Sequence, residues 1–202
     1  LGNYALAAEL YGRAARTEDR STIQYAETLI AWCDALAHLD DRRTYTRQLQ
    51  RWINTVQRNG FDTEWAVPSM LRIATTWAEL RRPRYGGEML GVIVLLALAD
   101  TPDEEARDSE PVPAEADSAS SDETAWRPGV AMWVVASQLE RQRSAGLVFA
   151  ATESAMEKQL RDVLGAGAAD QVLQLVRELM DGIAASDAPE RPEDHKSSDD
   201  PG

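Results

Sequence analysis

The sequence holds one cysteine, Cys33, two histidines, His38 and His195, and only two lysines. A lone cysteine excludes an intrachain disulfide, which agrees with a reducing compartment, and the cytoplasm is the expected location. With two histidines it also leaves no ligand set at the spacings zinc sites use, so no metal is expected. Long apolar runs are missing as well. The densest stretch, MLGVIVLLALA at 89–99, is about half of the ~18 residues a membrane span needs and reads as a buried core helix; no membrane association is expected. The first residues show no charged segment followed by an apolar one, so no secretory leader is visible.

Catalytic motifs are missing too. There is no GxxxxGK[ST], no GxGxxG after a strand and no GxSxG. Tyr85-Gly86-Gly87 opens a helix and is read as close packing, not as a phosphate cradle. Cys33 and His38 are five positions apart on one helix, which does not bring side chains together, so they read as a packed thiol and a helix-end imidazole. DEEARDSE at 103–110 is rich in carboxylates but lacks the fixed scaffold of acid–base chemistry and the spacing of a calcium loop. The expectation is a protein that is not an enzyme and carries no cofactor.

Charge is unevenly spread. The chain has 19 arginines, a skew attributed to a GC-rich bacterial genome, and a formal charge of -13. Residues 101–125 carry nine acids and Arg107, and 186–202 carry six acids with Arg191 and Lys196. The remaining 160 residues sum to -1. Both acidic segments are rich in Pro, Ser and Ala and cannot bury enough apolar surface to offset chain entropy, so an acidic disordered insertion and an acidic tail are expected.

What is present is helical period. No strand pattern occurs; Asn59-Gly60 follows Leu49, Trp52, Ile53 and Val56 and reads as a helix stop. Pro68 marks a helix start. A leucine precedes a short polar turn at Leu1, Leu39, Leu80 and Leu139, at intervals of 38, 41 and 59 residues. Removing about twenty insertion residues brings the last interval near the ~40 of a two-helix repeat. The expected helices are 3–16, 22–38, 43–58, 66–80, 85–99, 128–140, 145–163 and 168–185. The organisation is then repeats over 1–100 with the first one truncated, a disordered acidic loop over 101–125, a final hairpin and capping helix over 126–185, and a disordered tail over 186–202.

Gly2, Tyr4, Ala7, Tyr11 and Ala14 stand where the second helix of a tetratricopeptide repeat (TPR) places a turn glycine, an aromatic, a small residue, an aromatic and a small residue. The stretch resembles such a helix, whose first helix would lie before residue 1. The resemblance implies an all-α, TPR-like helical-hairpin solenoid that binds a protein or peptide. LRRPRYGGEMLG at 80–91 and MEKQLRDVLGAGAADQVLQLV at 156–176 are similar to the C-terminal arrays of large bacterial LuxR-like and antibiotic-regulator-type transcriptional regulators. That implies the signal-receiving part of a regulatory protein, with a small-molecule inducer as the alternative ligand.

In a solenoid the first helices of the pairs line the open face. Their polar positions are Gln24, Glu27, Thr28 and Asp34, then Arg72, Thr75 and Thr76, then Gln138. A basic patch comprises Arg43, Arg47 and Arg51, four apart along one helix, with Arg81, Arg82 and Arg84 on the next turn. The near-neutral body argues against direct nucleic-acid binding, and the acidic loop is the candidate intramolecular partner for the patch. Trp32, Trp52, Trp77 and Trp133 fall on helix stripes expected in the core, while Trp65 and Trp126 sit at helix starts, where both an exposed contact and packing over the first turn stay open.

Overall fold

The computed structural model describes residues 2–99, 128–146 and 149–186. Leu1, the acidic stretch 101–125, Trp126 and all but the first residue of the acidic tail lie outside them. Every regular element among the described residues is helical: α1 (Tyr4–Thr17), α2 (Ile23–His38), α3 (Arg42–Asn59), a 3-10 turn (Glu64–Ala66), α4 (Val67–Glu79), α5 (Pro83–Ala99), α6 (Pro128–Ser144), α7 (Phe149–Leu164) and α8 (Ala166–Ser186). The protein is all-α. No described helix is long and apolar enough to cross a membrane.

Local chemistry accounts for the helix boundaries. The side chains of Asn3, Thr22 and Asp41 accept the backbone N–H of Leu6, Tyr25 and Thr44 at 3.1, 3.3 and 3.1 Å, satisfying donors that the first turns of α1, α2 and α3 leave unpaired. Gly60 closes α3 with φ 62°. Two other stops repeat one another in detail. After Leu39 comes Asp40 with φ 53°, and after Leu80 comes Arg81 with φ 56°. In each, the next N–H reaches back five residues: Asp41 to the Leu36 carbonyl at 3.1 Å and Arg82 to the Trp77 carbonyl at 2.7 Å. The leucine signal therefore marks real stops at Leu39 and Leu80. Leu139 is a correction: it is fully buried inside α6, and the left-handed stop is Gly146, φ 67°.

Asp40 also ties the two turns together, its carboxylate accepting Nε and Nη2 of Arg82 at 3.2 and 2.8 Å. This two-pronged hydrogen bond, reinforced by the guanidinium charge, holds the Asp40 carboxyl below the usual range. A depressed carboxyl adds stability above its unfolded value and loses it as pH falls through the folded value. Arg82→Ala should return the Asp40 carbon-shift titration to the ordinary carboxylate range; an unmoved midpoint would show that the pair does not form.

Packing follows two rows. α2, α4, α6 and α8 touch in succession; α3 packs on α2, α5 on α4, and α7 on α5. α1 lies along α2, where Trp32 rests on Gly12. One continuous core runs through both rows, with Leu29, Trp52, Met70, Trp77, Leu90, Met156 and Leu160 among its members. α5 is apolar around most of its circumference, as a helix enclosed by neighbours must be. The last pair departs from a closed hairpin, since α6 and α7 contact each other little while α5 and α7 make the most extensive contact in the fold. Gly87 and Gly91 permit it: a Cβ on Gly87 would stand 2.3 Å from the Thr152 carbonyl oxygen, and one on Gly91 would stand 2.8 Å from Cγ of Gln159.

Candidate functional site

The row of first helices carries the polar residues expected to line an open face. Four of these eight residues pair with one another across helices. Asp34 of α2 accepts Nε of Arg72 of α4 at 2.8 Å, and Gln138 of α6 donates to the Thr75 hydroxyl of α4. Thr28 donates to Glu18 at 3.0 Å; Thr76 is buried and donates to the Arg72 carbonyl at 3.0 Å. Asp34–Arg72 and Thr75–Gln138 are rungs between successive helices, whereas Thr28 ties α2 to the end of α1 and Thr76 bonds within α4. Gln24 and Glu27 are exposed on α2. A double-mutant cycle on Asp34 and Arg72 should return a coupling of about 0.5 kcal/mol, the usual scale for a solvent-accessible pair; a cycle near zero would remove it as a rung.

Cys33 is fully buried, and burial, aided by the Asp34 charge, pushes its thiol far above the ordinary range. It is a packed side chain with no thiolate to offer at neutral pH. The His38 ring stacks on Tyr4 at 3.9 Å, with Nε2 3.8 Å from Asp34 Oδ1. No group of three or more His, Cys, Asp or Glu among the described residues could hold a metal ion.

Among the tryptophans, Trp52 and Trp77 are fully buried and Trp32 and Trp65 are half-buried against the core. Trp133 is a correction, being 52 % exposed. The inward stripe of α6 is Ala131, Met132, Val135, Ala136 and Leu139, and residue 133 falls off that stripe at 100° per residue.

The second row offers a different surface. A groove of about 600 Å3 runs over α5, lined by Val92, Leu95 and Leu96 of α5, Ile53 of α3, and Val163 and Leu164 of α7. A neighbouring cavity of about 400 Å3, reaching Gly60 and Phe61, shares Gln57, Leu96 and Ala99 with it, so the two form one elongated depression. It exists because α7 is drawn tightly against α5 by glycines, while α3 packs on α2 and makes little contact with α5. Val163 on its rim is 58 % exposed.

Beside the groove stands the most one-sided charge of the fold. α3 carries Arg42, Arg43, Arg47, Arg51 and Arg58 and no acid. Arg42 lies 3.7 Å from Asp40, but Arg43, Arg47, Arg51 and Arg58 are in no ion pair among the described residues. The other half of the sequence-level patch differs. Arg82 is held by Asp40 and Arg84 by Glu88 at 2.8 Å, while Arg81 is exposed at the left-handed stop. The groove was missed in the sequence because its apolar lining comes from three helices and each residue there also fits a core stripe. Arg58 was within reach, since an 18-residue helix with five arginines and no acid is visible without coordinates.

No family model, curated protein or solved structure matches this chain.

Proposed function

We propose that the protein is a TPR-like helical-repeat binding module whose ligand is an acidic, amphipathic peptide. The carrying observation is the elongated apolar groove over α5 beside the acid-free arginine face of α3. Two helix rows joined by recurrent left-handed stops support the repeat reading. An amphipathic helix docks in such a groove through apolar side chains at i, i+3 or i+4 and i+7, and its acidic face would meet Arg43 and Arg47. A site for a small inducer would be enclosed and walled by aromatics around convergent polar groups. This groove is open and has no aromatic wall, its lining being aliphatic chains with Gln50, Gln57 and Gln159, which favours a peptide over the inducer alternative.

Selection of displayed peptides on the full chain tests the reading. Enriched peptides should combine helically spaced apolar residues with acidic ones, and Val163→Glu should weaken them about tenfold, as expected for a charge placed against an apolar contact. Enrichment of peptides without acids, or equal binding by Val163→Glu, would overturn it.

The chain carries an acidic competitor of its own. Residues 103–123 follow closely on Ala99, which lines the groove. We place this segment as an intramolecular rival for the arginine face, within a larger bacterial regulatory protein that receives its signal here. Deleting 103–123 should raise affinity for the selected peptides and steepen its salt dependence. Unchanged affinity and unchanged salt dependence would end the idea.

A further inference from the structure

On the other edge of α3, away from the groove, the α1–α2 turn closes over the last turns of the helix. Between them lies a cavity of about 220 Å3 lined by Arg20, Tyr25, Arg51, Asn54, Arg58 and Asn59. None of its three guanidinium groups is in an ion pair among the described residues. The two acids beside Arg20 in sequence each have a hydrogen-bond partner other than an arginine. Asp19 accepts the Ser21 N–H and hydroxyl at 2.9 and 2.8 Å, and Glu18 accepts the Thr28 hydroxyl at 3.0 Å.

The cavity is built rather than incidental. Arg51 donates to the side-chain oxygen of Gln48 at 3.2 Å, and Gln48 is buried, so part of the guanidinium is oriented from below. Asn59 Nδ2 donates to the Thr55 carbonyl at 2.9 Å and to the Arg20 carbonyl at 3.4 Å, tying the turn that carries Arg20 to α3. Asn54 Oδ1 accepts from Gln50 at 3.1 Å, which leaves its amide nitrogen as the donor it can offer. The lining is rich in donors and poor in acceptors.

We propose that this cavity is an oxyanion site for a phosphate monoester group. A single carboxylate would neutralise one of three guanidinium groups, whereas a monoester carries close to two charges and three acceptor oxygens at neutral pH. The planar forks of arginine match that group with paired hydrogen bonds. Because the cavity opens to solvent, the carrier of the phosphate extends outward, and both a phosphorylated side chain and a small free ester present the same chemistry. The site goes beyond the peptide reading and does not depend on it, since it shares no residue with the groove.

Calorimetric titration of the full chain with inorganic phosphate, phenyl phosphate and a phosphoserine peptide tests it. Saturable binding is expected. Arg51→Ala combined with Arg58→Ala should weaken it about tenfold or more, two charge-assisted contacts being lost. Arg43→Ala, off the cavity, and Val163→Glu, in the groove, should leave it unchanged. Both altered arginines are exposed, and an unchanged thermal midpoint would confirm that the double variant folds. A phosphoserine peptide that binds more tightly than inorganic phosphate identifies a modified protein as the source; equal affinities identify a free ion or small ester. No saturable binding by any probe, an equal loss in Arg43→Ala, or succinate binding as tightly as phenyl phosphate would overturn the proposal.

Discussion

Gly87→Leu should keep α5 and α7 from closing and destabilise the fold by about 3 kcal/mol or more, the upper range for overpacking. The first atom added already decides the sign. A Cβ at Gly87 would stand 2.3 Å from the Thr152 carbonyl oxygen, 2.5 Å from the Ala155 Cβ and 2.8 Å from the Met156 backbone nitrogen. Two of these are backbone atoms of α7, so relief requires moving a helix rather than turning a side chain. Against this stands the helix-propensity gain of replacing glycine, about 1 kcal/mol at most. The clash outweighs that gain, and Gly87→Ala should also be destabilising. Gly182 in α8 is the internal control: nothing lies within 4 Å of the Cβ it would gain, so Gly182→Ala should stabilise by about 0.5 kcal/mol. Urea unfolding of the three variants checks the ordering. A stabilised Gly87→Ala would mean that α5 and α7 stand further apart than contact at Gly87 requires.

Glycine at this place was legible in sequence as a point of close approach, and the structure supplies the reason, the carbonyl of Thr152. The helix positions were legible for the same kind of reason: several boundaries are set by a local group, such as Thr22, Asp41 or Gly60, that acts within a few residues of itself. Register in the last pair was not. Leu139 looked like a turn leucine because it precedes a polar run, but Glu140, Arg141, Gln142 and Arg143 form the last turns of α6, and the chain stops only where Gly146 can take positive φ. Pairing between distant elements was least legible. Asp34 with Arg72 is separated by 38 residues and Thr75 with Gln138 by 63, and nothing in either local sequence distinguishes a polar residue that bridges two helices from one that faces a partner. The arginine-lined cavity failed for a similar reason, since Arg20 reaches it from a turn and Arg51 and Arg58 from a helix.

Trp77→Ala and Trp133→Ala separate a tryptophan that holds the rows together from one that does not. Trp77 has no exposed surface and sits against Tyr45 and Tyr85, each with ring centroids at 4.9 Å. Tyr45 comes from α3, Trp77 from α4 and Tyr85 from α5, so the cluster joins the second helices of two successive pairs through the first helix of the later one. Truncating a buried tryptophan removes its transfer free energy and leaves a cavity that neighbours on three helices fill only partly, which costs about 3–5 kcal/mol. The edge-on contact with Tyr45 adds to the loss. Trp133 lies about half in solvent on α6, and Trp133→Ala should stay within about 0.5 kcal/mol of the parent. Thermal unfolding distinguishes the two cases. Equal destabilisation by Trp133→Ala would show that this ring is covered, and the inward stripe of α6 would have to be redrawn. If Trp133→Ala instead leaves stability intact but lowers affinity for the selected peptides, the contact surface extends from the groove of the second row onto the first.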